Sequence, residues 1–597
     1  MNRKDIAIVA VLVVLLMAWP MIDREIARRF YPERFAPPAE QADEVGASPT
    51  AVGPAATEPP VIQSPESPPP SEGAATGDVE EPPSADPERR FTLRNGRAEY
   101  TFSSRGGALV EVRLLEYPET IARESPPVRF DFSVTPALEW RGVPGAGTAY
   151  DFSGTLSEDG RSLRLERVTA SGLRLLRSIE LNDAFSLHIR EEWTNTGSAP
   201  LTVERPRLSF GTLRNLPGET LMSGQTFLGV DTLSPGGESV RYWGREFLGM
   251  FARDQKESGL PRPRPELRRS LPEGGRTLEW AAVKNKYFAQ ILRPEGGAEA
   301  VDAVLRRTVT ESEIQDPGFR PRVEIAEIAA ETRFPNRVLE PLATASREME
   351  FYLGPKKYRE LRRLAFHQSD VMEFRRMPAI AKLLLNTLNG LYAAIPNYGI
   401  AIILLTIVIR IVFWPITRKG AQSMKRMQEI QPLVAEIRTR YKDNPQRQQK
   451  EIMALYKEHK VNPIGGCLPL LIQIPVFIAL FDVLGSAIEL RFARFLWIRD
   501  LSEPENLLAG MIPVVGSLNL LPLIMTVTQI WQQKLTPQAG DPSQQKMMLF
   551  MPVIMLVFFY KFASGLVLYW TTSQVLMILS QLYQRSTLRR KPSVVTP

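Results

Sequence analysis

One arginine stands inside an otherwise uncharged stretch, GIAIILLTIVIRIVFWPI, at residues 399–416. Arg410 lies about seven residues from the C-terminal end of that stretch, roughly 10 Å along a helix at about 1.5 Å per residue. A guanidinium at such depth in hydrocarbon costs several kcal/mol if it faces lipid, so the residue type points to a polar cavity. Thr406 lies four residues earlier and shares the helix face of Arg410. Other polar side chains sit within neighbouring apolar stretches: Gln473, Thr528, Gln529, Thr572, Ser573 and Gln574. Such a set on several helices predicts an aqueous pocket inside a membrane domain. Snorkelling of a long Arg side chain to the interface is the competing reading. Either way, the chemistry is solvation and charge rather than bond-making.

The rest of the composition excludes most catalysis. His188, His367 and His459 are the three histidines and are far apart, and Cys467 is the lone cysteine. No disulfide framework, Cys-rich metal centre or His-based acid–base pair can be assembled from these. The chain has no phosphate-binding glycine loop with G-K-[ST], no G-x-S-x-G elbow and no H-E-x-x-H pair. No cofactor and no nucleotide are expected, and the chain does not read as an enzyme. A net charge of +7 over 597 residues is too small to mark a nucleic-acid binder.

The elements that must position Arg410 are membrane helices. Beyond residue 397 the apolar runs are 398–416, 464–484, 518–531, 547–562 and 565–583, and residues 6–22 form another behind Arg3 and Lys4. The first run is too long for the core of a cleaved signal, and its end (Met17-Ala18-Trp19-Pro20-Met21) is a poor cleavage site, so it reads as an anchor. Six spans result. The run at 547–562 is short for a bilayer and implies thinning or tilt. The loop 417–463 carries eleven Lys and Arg against five Asp and Glu, a net +6, whereas 486–510 is net −1. The positive-inside rule then puts 417–463 and both termini in the cytoplasm, and parity puts residues 23–397 on the far side. With no disulfides, a bacterial periplasm fits that side best.

Within 417–463, Met424, Met427, Val434, Ile437 and Tyr441 form one helical stripe, and Ile452, Leu455 and Tyr456 another, with Asp443-Asn444-Pro445 turning between them. An antiparallel helical hairpin is expected, its first arm kinked at Pro432. Residues 377–396 repeat Ile380, Leu384, Leu388 and Leu391 at helical spacing, as in an amphipathic helix lying in the interface. Residues 91–353 alternate apolar and polar side chains at period two between turns such as Asn95-Gly96 and Asn195-Thr196-Gly197, which predicts one large all-β sandwich. Residues 36–88 hold eleven acids, no Lys or Arg and many prolines, the composition of an extended tether.

The stretches VNPIGGCLPLLIQIPVFIALF (461–481), FMPVIMLVFF (550–559), SGLVLYW (564–570) and TIVIRIVFWPIT (406–417) resemble the YidC/Oxa/Alb family of membrane protein insertases, along essentially the whole chain. The resemblance implies a polytopic α-helical protein of six transmembrane helices with a periplasmic β-supersandwich related to sugar mutarotases. Its expected divisions are an anchor (1–35), tether (36–90), β domain (91–353), connector and interfacial helix (354–397), second span (398–416), cytoplasmic hairpin (417–463), insertase core (464–585) and short basic tail (586–597). It implies an insertase and chaperone of the bacterial inner membrane, with a groove open to cytoplasm and lipid. Carried over by motif, the groove residues are Arg410, Thr406, Gln473, Phe477, Met525, Phe558 and Trp570. The implied partners are nascent inner-membrane proteins, the Sec translocon, membrane lipids and, more weakly given the short tail, the ribosome, with a monomer as the active form. Trp570 replaces a Tyr found in some members, and Ala563 a Pro before the Ser-Gly turn. A secondary transporter would require inverted repeats, which are not seen, and a membrane-anchored sugar-binding protein acting on its ligand would require acid–base residues in the β domain, where His188 is the only His and no acids cluster at a telling spacing.

Overall fold

The computed structural model describes residue 84 and residues 86–589, apart from 183, 218–226, 238–239, 261, 273–276, 310–322, 375–376, 460, 462–467, 513–515 and 536–541. All belong to one unit, Glu81–Pro597. The anchor expected at 1–35, nearly all of the tether at 36–90 and the tail beyond 589 lie outside the described residues.

Two nine-stranded antiparallel sheets form the β domain. One runs Arg90–Arg94, Ala98–Ser103, Leu109–Pro118, Ala137–Arg141, Arg207–Arg214, Ile325–Arg333, Ala300–Arg307 and Glu266–Leu271, with Pro127–Asp131 paired to Leu109–Pro118. The other runs Arg241–Tyr242, Gly229–Leu233, Trp280–Lys284, Phe288–Pro294, Thr344–Pro355, Ser186–Asn195, Leu173–Leu181, Ser162–Val168 and Ser153–Leu156. The period-two pattern explains the inner faces. In Ser186–Asn195, Leu187, Ile189, Glu191, Trp193 and Asn195 are buried while the residues between them are more exposed. Asn95 closes the first hairpin by accepting from the backbone of Arg97 and Ala98 through Oδ1, at 2.9 and 2.8 Å.

The domain extends one or two residues past each expected edge and contains a helix that strand alternation gave no reason to expect. Helix α1 (Gly244–Ser258) buries Phe247, Met250 and Phe251 on one stripe. Their i, i+3, i+4 spacing is the signal, set within a domain otherwise patterned at period two.

Beyond the sandwich come α2 (Pro378–Ala394), α3 (Tyr398–Glu429), α4 (Gln431–Arg440), α5 (Pro445–Glu458), α6 (Leu468–Ser486), α7 (Leu520–Leu535), α8 (Pro542–Phe559) and α9 (Ser564–Arg589). The amphipathic α2 buries Ala381, Leu384, Leu385 and Leu388 and packs against α3 and α6. Helix α3 runs unbroken through Pro415 and Arg418 to Glu429, well past the expected end at 416. Charge marks where hydrocarbon stops, not where a helix stops, because Lys, Arg, Gln and Met are all good helix formers. The expected kink at Pro432 is a break: α3 ends before Ile430, and Pro432 sits in the first turn of α4, where a missing N–H costs nothing. Asn444 caps α5, its Oδ1 accepting from the backbone of Arg447 at 3.0 Å. Helix α8 ends at Phe559 rather than 562. A short hairpin, Leu507–Ile512 with Gly516–Leu518, occupies the loop before α7 and carried no sequence expectation.

Among the described residues one helix, Tyr398–Glu429, is long and apolar enough to cross a membrane, and Gln473–Ser486 and Phe550–Phe559 are shorter apolar helices.

Candidate functional site

Arg410, Thr406 and Gln473 come together. They line one narrow cleft with Phe413, Tyr569 and Ser573. Helix α3 supplies Thr406, Arg410 and Phe413, α6 supplies Gln473, and α9 supplies Tyr569 and Ser573. The spacing of Thr406, Arg410 and Phe413 places all three on one face of α3.

The polar contacts converge on Ser573. Arg410 donates through Nη2 to the Ser573 carbonyl at 2.9 Å and to Ser573 Oγ at 2.5 Å. Gln473 Nε2 is 3.4 Å from the same hydroxyl. Among the described residues Arg410 has no carboxylate partner, so its charge is held by neutral acceptors. The buried Thr406 donates its hydroxyl to its own helix, at the Ile402 carbonyl 2.7 Å away. Its hydroxyl is therefore satisfied before any ligand arrives. Ser573 was one of several polar residues visible in the apolar runs, but its role as the acceptor for Arg410 was not. Tyr569 was missed entirely, because an aromatic in SGLVLYW reads as ordinary core.

The four apolar site residues do not line this cleft. Phe477 and Trp570 pack edge-to-face with centroids 5.2 Å apart, and Phe559 joins both at 5.9 and 5.3 Å. Phe558 packs edge-on against Phe562 at 4.9 Å and is 55% exposed. Met525 is fully buried. Gln574 ties this layer together. With its amide nitrogen toward acceptors, it donates to the Met525 carbonyl at 3.0 Å and to Thr528 Oγ1 at 2.7 Å, and accepts from Trp570 Nε1 at 2.8 Å. The Trp570 indole N–H thus has its acceptor one helical turn away. The site is a polar cleft with an aromatic layer beside it.

The start of α9 is held close to its neighbours. Gly565 donates to the Leu501 carbonyl at 2.8 Å. A Cβ on Gly565 would come within 2.9 Å of that oxygen and 3.3 Å of Ile402. Glycine is what lets α9 approach both α3 and the preceding loop.

No group of three or more metal-ligating side chains occurs among the described residues.

The profile of the 60Kd inner membrane protein family matches residues 390–591, and that of the YidC periplasmic domain matches residues 90–387. A membrane protein insertase YidC from Syntrophobacter fumaroxidans is 42% identical over 308 residues, covering 51% of this chain and 53% of that protein. The chain thus spans about half the length of that relative. A membrane protein insertase YidC from Nitratidesulfovibrio vulgaris is 32% identical over 497 residues, covering 80% of this chain and 83% of that protein. A crystal structure of an active YidC insertase with its first transmembrane domain resolved covers 84% of this chain and 95% of its own, at 18% identity and a TM-score of 0.34. On the two profiles and the relative matched over most of its length, the chain belongs to the YidC family of membrane protein insertases.

Proposed function

We propose that the chain inserts nascent inner-membrane proteins into the bilayer and assists their folding, with the Arg410 cleft holding a hydrophilic flank of the client part-way into the hydrocarbon. The observation that supports this most is a guanidinium in the middle of an apolar helix, bonded to a backbone carbonyl and a serine rather than to an acid. Moving a polar segment across about 30 Å of hydrocarbon is unfavourable throughout. A wet notch shortens the dry path, and a net positive charge at its end attracts acidic or polar flanks. The exposed Phe558, with Phe477 and Trp570 beside it, forms the apolar side along which the client's own helix passes, the fully buried Met525 backs that layer, and Thr406 and Gln473 complete the polar side.

The proposed topology is six spans, the anchor at 1–35 with α3, α6, α7, α8 and α9, with both termini cytoplasmic and the β domain periplasmic. The loop charges support it, because the basic α4–α5 hairpin and the near-neutral loop before α7 lie at opposite ends of the helices. The apolar part of α8, Phe550–Phe559, is half the length a span needs, which fits a locally thinned bilayer. Clients arrive alone or from the Sec translocon, lipids contact the groove's open side, the ribosome is a weaker partner, and the active form is a monomer. Insertion makes and breaks no covalent bond and needs no nucleotide; burial of the client and the membrane potential drive it.

The test is a series at Arg410, read by crosslinking and protease protection of a small single-span client with an acidic N-terminal tail. Arg410→Lys keeps charge and reach and retains most insertion. Arg410→Ala lowers it several-fold and Arg410→Glu lowers it further, since the cleft then repels the tail. Equal insertion by all variants at matched levels overturns the charge reading.

A further inference from the structure

The strand Thr344–Pro355 runs straight into the stretch KKYRELRR, residues 356–363, which carries five Lys and Arg against one acid. The sandwich before it is balanced: residues 91–353 hold thirty-five Lys and Arg and thirty-seven Asp and Glu. Lys356 is buried and Lys357 half-buried, whereas Arg359, Arg362 and Arg363 are exposed. The one acid is already taken, since Glu360 pairs with Arg97 at 3.4 Å and with Arg363 at 3.5 Å. Among the described residues Arg359 and Arg362 make no ion pair. The cluster therefore presents uncompensated positive charge to its surroundings.

The turn that carries these residues stands over α2. The ammonium of Lys382, in the second turn of α2, lies 3.0 Å from Asp370 Oδ1 and 5.7 Å from the Tyr358 ring centroid. The backbone of Lys356 donates to the Tyr287 carbonyl at 2.7 Å, and the Tyr287 hydroxyl meets Ser502 in the loop before α7. The cluster thus sits at the end of the sandwich that faces the membrane helices. Helix α2 buries Leu384, Leu385 and Leu388 but leaves Leu383 65% exposed. Cations above a helix with an exposed leucine follow the order of a bilayer edge, headgroup phosphate first and acyl chain below.

We propose that Lys357, Arg359, Arg362 and Arg363 bind the phosphates of anionic phospholipids at the bilayer surface on which the sandwich rests. The inference rests on the topology proposed above, which puts this end of the sandwich against the periplasmic leaflet. A guanidinium fork matches phosphate oxygens in plane and spacing. Each such cation within a Debye length of an anionic surface strengthens attachment about fivefold. A zwitterionic headgroup carries its own cation and gains much less. The Arg410 cleft draws its residues from α3, α6 and α9, so the cluster holds the sandwich down on the bilayer without touching that cleft.

Photocrosslinking of the full chain in reconstituted bilayers tests the proposal, with phosphatidylglycerol and phosphatidylcholine carrying the same photoreactive group near the phosphate. The bilayer is phosphatidylcholine with a trace of either probe, and labelled peptides are mapped by mass spectrometry. Residues 356–364 should take several-fold more label from the phosphatidylglycerol probe. Arg359→Gln, Arg362→Gln and Arg363→Gln together should remove most of that excess. If the triple variant does not fold, judged by its unfolding transition, Arg359→Gln alone serves and should lower the excess about fivefold. Maleimide labelling of Ala365→Cys in a Cys467→Ala background, from outside intact spheroplasts, reads the topology separately. Labelling from outside with equal use of the two lipid probes, or an excess that no substitution changes, overturns the headgroup site alone. Labelling only after lysis overturns the topology on which it rests.

Discussion

Tyr287 and Ser502 meet at 2.9 Å through their hydroxyls, joining the β domain to the loop that precedes α7. Around them Lys286 pairs with Glu503 and donates to the Ser502 carbonyl, and Arg491 donates to the carbonyls of Pro118 and Glu119, each at 2.8 Å. The same loop receives the backbone of Ser564 at Glu503 and of Gly565 at Leu501, the first residues of α9. The sandwich is therefore bonded to the segment that anchors the helix carrying Ser573.

Breaking that junction should cost stability before it costs insertion. Lys286 is almost fully buried, so Lys286→Ala leaves the Glu503 carboxylate without its cation, a change worth about 3 kcal/mol where such pairs are buried. The thermal unfolding transition of the purified chain should fall, and the loop around residue 500 should become protease-sensitive. Deleting about residues 97–339 should have the same local effect while cells remain viable, because the Arg410 cleft draws no side chain from the sandwich. An unchanged unfolding transition for Lys286→Ala would remove the junction's energetic role.

The β domain should lose stability as pH rises from about 4 to about 7. Asp231 is wholly buried, 2.5 Å from Lys284 Nζ, and Lys284 also pairs with Glu373. One ammonium serves two carboxylates, and burial pushes the Asp231 carboxyl up to about 7. The folded protein keeps a proton there that the unfolded chain has released above about pH 4, so the stabilisation is complete below that pH and is lost through pH 7. Chemical unfolding at pH 5 and pH 8 should show the lower midpoint at pH 8, and Asp231→Asn should flatten the difference. A wild-type midpoint that does not move between those pH values contradicts it.

Gln574 should matter through Trp570. Replacing it with Leu leaves the Trp570 indole N–H without this acceptor, while the Thr528 hydroxyl keeps the Met525 carbonyl at 2.8 Å, a loss of about 1 kcal/mol. Gln574→Glu keeps an acceptor for the indole and should recover part of the loss. Crosslinking from position 570 to a passing client should weaken in the Leu variant, and full crosslinking there would exclude a positioning role.

The α4–α5 hairpin is held by a small cluster of its own, Met427, Ile430 and Val461 with Tyr456 packed against it. Ile430→Ser should open it, lowering client capture several-fold while the protein still assembles in the membrane. Pulse-labelled insertion of a single-span client against steady-state protein level separates these outcomes. Normal insertion would reduce the hairpin to a charged loop that sets topology.

Local pattern carried much of this protein. Period-two alternation in Ser186–Asn195 marks which side chains face inward, because successive strand residues point to opposite faces. Arg410 betrays itself as an unaffordable charge in an apolar helix, and Asn444-Pro445 as the start of α5. Each depends on neighbours within a few residues. What the tertiary structure alone decided depends on groups far apart in the chain. The acceptor of Arg410 is 163 residues away, Lys286 finds Glu503 across 217, and Glu191 goes to Arg177 rather than to the Arg347 directly opposite it. A hydrogen bond is a matter of a few ångströms, and sequence spacing fixes distances on that scale only within a turn of helix or a pair of adjacent strands. Which of two arginines a buried glutamate accepts from is therefore settled by packing.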